Sequence, residues 1–286
     1  MPWSGYTGSE RKLAQVAENY FNRIRENPSI KKGEQIDSKL SWKPSLHFQG
    51  FKHETIAVEA SETPYPAILK TIHADIINVQ IPIVVYCICP EDAFLLKSNQ
   101  VDIKNLENHG YGLLTVNDAG DVTRRHACIP LIQHIPEDEV EYEIKQLTKK
   151  IKIRIRDAFE TYRTDAGSGL SNLTEIVESV VMDAGRKISK KGWIGSDVVR
   201  RGHLHNLLDQ MYNVPQCNNC KAAIGGVLSY VSTYRNTAHH APKNRKQAHR
   251  KHKECKHGFL EGIKQIKNFR DAFKTSLQIN VSIVDI

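Results

Sequence analysis

The chain has no run approaching the roughly 18 consecutive apolar residues that a membrane helix requires, so a membrane partner is not expected. Its opening stretch, MPWSGYTGSERK, lacks the basic-then-apolar layout of a secretory signal. Cysteine is sparse, with six residues (Cys87, Cys89, Cys128, Cys217, Cys220 and Cys255) among 286. Three of them lie in or beside apolar, strand-like runs, where cysteine packs as a small hydrophobe. A dense disulfide framework is therefore not expected, and a reducing cytoplasm is the predicted location. Phosphate loops are missing too: AGRK, GGVL and GSGL lack the strand–loop–helix setting and the lysine that such a loop needs. There is no internal repeat.

What is abundant is positive charge in one place. The formal net charge is +8. Between Arg235 and His257 stand eight Lys or Arg residues against one acid, Glu254, together with five of the thirteen histidines. A local positive field of this kind favours a polyanion, with nucleic acid the first candidate. Charge alone also fits a solvated basic loop.

The periodicity predicts two domains and a connection. Residues 9–25 carry Leu13, Val16, Ala17, Tyr20, Phe21 and Ile24 at helical spacing, behind a capping Ser9. Strand-like runs SLHFQGF and TIAVEAS follow, then the helical PYPAILKTIHADIINV and the buried strand IPIVVYCIC. A polar helix and the runs YGLLTV and VTRRHACIPLI complete an α/β domain over residues 1–136. Residues 137–162 read as one charged linking helix, and RTDAGSGLSN as a flexible break. Beyond it, residues 163–286 predict four amphipathic helices in an up-and-down bundle, the last of them ECKHGFLEGIKQIKNFRDAFKTSL.

The third bundle helix runs out at YRNTAHH, which places Arg235, Asn236, His239 and His240 at a helix-to-helix junction. An imidazole titrates near working pH, so it can take the proton from a ribose 2′-hydroxyl. A guanidinium can stabilise charge developing on phosphorus, and Asn236 can orient the imidazole or bind a phosphate oxygen. This chemistry needs no metal, because the substrate supplies its own nucleophile. The same group also fits a junction that only satisfies helix-end carbonyls. Lys243, Arg245, Lys246, Arg250, Lys251, Lys253 and Lys256 are the candidate RNA-phosphate contacts. Zinc is the one cofactor with any sequence support. Cys217 and Cys220 have CxxC spacing, and His252 and Cys255, with His249 and His257 nearby, could complete a structural site. Thiols beside a basic surface explain the same residues without metal.

YRNTAHH, after an apolar helix and ahead of the last bundle helix, resembles the R-x4-6-H motif of the HEPN superfamily. FLEGIKQIKNFRDAF is similar to the C-terminal domain of abortive infection proteins, a HEPN-like group, and the resemblance covers roughly residues 165–278. It implies a metal-independent endoribonuclease that dimerises around one cleft, in prokaryotic antiphage or toxin-type defence. Carried over, it assigns catalysis to Arg235 and His240 with Asn236 in support; His239 gives the less fitting R-x3-H spacing. A non-catalytic nucleic-acid-binding or adaptor protein is the alternative.

The order helix, strands, helix, strand over roughly residues 9–135 resembles the restriction-endonuclease-like core, with a mixed sheet flanked by helices. The resemblance puts the E-x-K position at Glu59, Ala60 and Ser61, and the preceding aspartate position near Pro44 and Ser45. Lysine and aspartate are both missing there, and one carboxylate holds Mg²⁺ poorly. This implies a degenerate nuclease that senses a trigger, such as a phage-derived or partner protein, with Glu59 as a structural strand residue.

Overall fold

The computed structural model describes residues 3, 5–26, 28–50, 53–200, 203–235 and 242–284. The chain is mixed α/β and forms two compact units: residues 1–137 with 242–253, and residues 138–241 with 254–286.

In the first unit the order is α1 (Gly8–Ile24), β1 (Lys31–Lys32), β2 (Leu46–Gln49), β3 (Thr55–Ala60), α2 (Ala67–Asn78), β4 (Ile83–Pro90), α3 (Glu91–Leu95), α4 (Gln100–Asn108), β5 (Gly112–Val116) and β6 (Val122–His126). The six strands lie in sequence order in one mixed sheet. β3, β4 and β5 run parallel, and the flanking pairs are antiparallel. Every residue of β3 is buried, as befits a strand covered on both faces. The two parallel crossovers wind in one sense, so α2 and α4 fall on the same face. There Leu69, Ile72, Ile76, Ile103 and Leu106 pack on Ala57, Val85, Cys87, Cys89 and Leu113. α1 covers the other face, setting Leu13, Ala14, Ala17 and Phe21 against Phe48, Ile56, Val58, Val84 and Ile88. Its start is fixed by a capping box between Thr7 and Glu10, one residue pair upstream of the predicted Ser9 cap.

The second unit is helical: α5 (Glu137–Ile144, entering from the first unit), α6 (Lys149–Thr164), α7 (Ala166–Lys190), α8 (Ser196–Arg200), α9 (Leu204–Asn213), α10 (Lys221–Tyr234) and α11 (Arg245–Leu277). The single charged helix expected over residues 137–162 is two helices. A turn at Lys145–Thr148, with Leu147 N–H on Ile144 O at 2.9 Å, lets Ile144, Leu147 and Ile151 all turn inward. α6 is therefore a packed helix of this unit, with Ile155, Ala158, Phe159 and Tyr162 buried. The flexible break expected at RTDAGSGLSN is also absent. Asp165 alone separates α6 from α7, and its carboxylate accepts Ser168 N–H at 2.8 Å as the cap of α7. Gly169 is the reason such a tight hairpin fits: a β-carbon there would sit 2.3 Å from Tyr162 Cα.

α11 begins nine residues earlier than the sequence pattern suggests. Its basic turns, 245–253, belong to the first unit, where Ala248 is fully buried and His252 Nδ1 bonds Gln133 Oε1. The remainder lies in the second unit, with Phe259 against Phe159 and Tyr162 at ring distances of 5.8 and 4.8 Å. After α11 the chain runs back along α7 as an extended strap. Ile279, Val281 and Ile283 are buried, while Ser282 N–H donates to Asp183 at 2.7 Å and Val284 N–H to Ser179 Oγ at 2.9 Å. Among the described residues, no helix is long and apolar enough to cross a membrane.

Candidate functional site

α10 is helical because Ile224, Val227, Tyr230 and Val231 repeat at helical spacing and bury one face. The helix carries through to Arg235, whose N–H still bonds Val231 O at 3.2 Å with α backbone angles. Arg235 thus closes α10, with its side chain 62% exposed and its Nε 3.7 Å from Glu178 Oε1 on α7. Burial pushes the Glu178 carboxyl above its ordinary range, and the facing guanidinium pulls it back. The remaining motif residues, Asn236, His239 and His240, lie outside the described residues.

Two further groups, to which the sequence pattern assigns no catalytic role, meet at the end of α10. Tyr234 is the preceding residue, and its hydroxyl lies 2.5 Å from His257 Nδ1 on α11. Gly258 makes room for this contact, since a β-carbon there would meet the Tyr234 ring at 2.6 Å. The Tyr230 ring packs against Tyr234 at 5.2 Å, tilted by 41°. The end of α10 therefore carries a solvent-facing guanidinium paired to α7 and, on the preceding residue, a phenol bonded to an imidazole of α11. An Arg of this kind can hold a phosphate group bidentately. The partners come from α7 and α11, so no local pattern could have announced them.

The candidate phosphate contacts divide by exposure. Lys243, Arg245, Lys246, Arg250 and Lys253 are exposed. Lys246, Arg250 and Lys253 follow i, i+4, i+7 spacing on α11 and so form one cationic stripe about 10 Å long. Arg245 bonds Gln49 Oε1 at the end of β2. Lys251 and Lys256 are half-buried, and burial lowers the Lys256 pKa against the opposing pull of Glu139.

The suggested zinc ligands are not brought together. The Cys220 thiol donates to Ala272 O at 3.5 Å, whereas Cys255 is seventeen residues, or about 25 Å, back along α11. Cys217 is pushed up to about 11 by burial and the neighbouring Cys220, while Cys220 is raised by burial. Thiols held protonated in this way pack as small hydrophobes. His249 turns to the backbone of Ile81 in the first unit.

In the first unit the positions compared with an E-x-K site do lie side by side. The β2–β3 register pairs Leu46 with Val58, which sets Ser45 opposite Glu59, and Ser45 Oγ accepts Ala60 N–H at 2.8 Å. Ser61 Oγ pairs with Thr63 Oγ1 at 3.2 Å. Glu59 is 5% exposed and both its oxygens are occupied: Tyr6 O–H donates to Oε1 at 2.7 Å and Trp42 Nε1–H to Oε2 at 2.8 Å. Its carboxylate ties α1's approach segment to the segment before β2, a structural role.

Burial raises the Glu59 pKa from 4.5 to about 7, despite the opposing bonds from Tyr6 and Trp42. Between those values the folded chain keeps a proton that the unfolded chain has released. Stability from this group is therefore full below pH 4.5 and lost as pH rises through about 7. The span is worth about 3 kcal/mol. Urea unfolding of the wild type and Glu59→Gln over this range should show the falling slope in the wild type only. Equal slopes would remove Glu59 as its source.

Comparison with family models, with curated proteins and with solved structures yields no match to this chain.

Proposed function

We propose that the chain is a metal-independent endoribonuclease that cleaves RNA by 2′-hydroxyl transesterification, working as a homodimer in prokaryotic defence. The observation that carries the reading is Arg235: a guanidinium that closes α10 and stays open to solvent, one residue after the Tyr234 that bonds His257. His240 takes the 2′-hydroxyl proton, the 2′-oxygen bonds to phosphorus, and the bond to the 5′-oxygen breaks. Arg235 holds the charge that builds on the phosphoryl oxygens. A second imidazole returns a proton to the leaving 5′-oxygen. The Lys246–Arg250–Lys253 stripe supplies sequence-independent attraction for RNA. The resemblance of YRNTAHH to the HEPN motif supports the same assignment.

Purified protein incubated with total cellular RNA in excess EDTA should still cut it and leave 2′,3′-cyclic phosphate ends. Circular dichroism checks that the chelator leaves the fold intact. Activity lost with EDTA and restored by Mg²⁺ would move the chemistry elsewhere in the chain.

The Glu178 partner of Arg235 favours a second reading, because a paired guanidinium can serve a phosphate-binding surface without catalysis. On that reading the chain is an RNA-binding or adaptor protein, and His240→Ala keeps its affinity with no turnover to lose.

A further inference from the structure

α7 ends in a Schellman turn: Trp193 N–H bonds Ile188 O at 3.3 Å and Gly192 N–H bonds Ser189 O at 2.8 Å. Gly192 takes the left-handed φ of +74° that this turn requires. The chain reverses there, and α8 folds back on α7. Met182, Arg186, Ser189 and Lys190 share one face of α7, at i, i+4, i+7 and i+8. Ser196, Val199 and Arg200 share the facing side of α8, and the two faces enclose a groove of about 470 Å³.

Among the described residues the lining holds three cations and no carboxylate. Asp183, one turn away on α7, is engaged by Lys187 at 2.6 Å and by Ser282 N–H at 2.7 Å. Asp197 on α8 is outside the lining. Arg186, Lys190 and Arg200 are exposed, so their charges meet whatever enters.

We propose that this groove binds a nucleoside phosphate. Arg186, Lys190 and Arg200 take the phosphate, with the Ser189 and Ser196 hydroxyls completing its bonds. Met182 and Val199 form an apolar floor for the base or sugar, a surface that inorganic phosphate would leave uncovered. The volume falls within the roughly 300–1,000 Å³ of small-molecule sites. The occupant is either a free mononucleotide or one residue of an RNA strand. This inference stands apart from the ribonuclease reading, since it uses none of the same residues.

The test is calorimetric titration of the full chain with AMP, adenosine, inorganic phosphate and a short single-stranded RNA. AMP should bind saturably, with adenosine and inorganic phosphate each weaker by about tenfold or more. Arg186→Gln and Arg200→Gln should each weaken AMP binding by about tenfold. Their melting temperatures should not move, because both side chains are exposed. RNA binding that weakens in parallel identifies a strand residue as the occupant; RNA binding that is unchanged identifies the free nucleotide. AMP binding no tighter than adenosine or phosphate, or variants that bind AMP like the wild type, would overturn the proposal.

Discussion

Arg235→Ala should lower RNA cleavage by a hundred- to a thousand-fold, about what removal of one donor to a developing oxyanion costs. The fold should hardly notice. Arg235 is 62% exposed and pairs loosely with Glu178 at 3.7 Å, and a pair open to solvent on the guanidinium side is worth about 1 kcal/mol. Arg235→Lys should recover part of the rate, because it restores charge without the planar fork. The expected signature is a fall in turnover with near-native melting and RNA affinity. His240→Ala should behave alike. Refolding the two variants together would place one intact Arg and one intact His in a shared cleft, and activity should return with the heterodimer fraction. Arg235→Ala cutting RNA at the wild-type rate would leave the adaptor reading standing.

Gly169→Ala should destabilise the helical unit by about 3 kcal/mol or more, against the direction that helix propensity alone predicts. Alanine in a helix interior gains about 1 kcal/mol over glycine. Here the added carbon would meet Tyr162 backbone N, Cα and Cβ at 2.3–2.4 Å. Backbone cannot rotate away, so α6 and α7 must separate, and overpacking of this kind reaches the upper end of its usual cost. Separation also disturbs Tyr162 against Phe259. Gly225→Ala in α10 is the control: nothing lies within 4 Å of a β-carbon there, so it should stabilise by about 0.5–1 kcal/mol. Chemical denaturation of both variants checks the pair. Two substitutions with the same sign would mean that propensity rather than the α6–α7 approach decides.

The same glycines show where the sequence was legible and where it was not. β4 was readable because a buried parallel strand is a continuous apolar run, β3 because TIAVEAS has a strand-like period, and α10 because its stripe is unbroken. Gly167 and Gly169, by contrast, signal a break in isolation, yet both are buried in α7. Contact with α6 explains Gly169, whose β-carbon would meet Tyr162. The basic half of α11 was missed because its core contact is the single Ala248, which leaves almost no apolar period to detect. The strap at residues 279–283 alternates like a strand but pairs with a helix. At the candidate site Arg235 could be placed from the end of the α10 pattern, whereas Glu178 and His257 arrive from helices 57 and 22 positions away in the chain.

That strap also sets an order of events during synthesis. The α7 residues that the strap touches, Ser179 to Lys187, emerge more than ninety residues before Ile279, Val281 and Ile283, and their surface stays uncovered until these follow. Asp183, Lys187 and Ser179 wait for the backbone atoms of Ser282, Asn280 and Val284 in the same way. The sheet strands precede the strap by more than 150 residues and can pair early, whereas the helical unit is complete only once residues 279–284 follow. If this unit cuts RNA, the messenger being translated meets a completed enzyme only after residues 279–284 have been added.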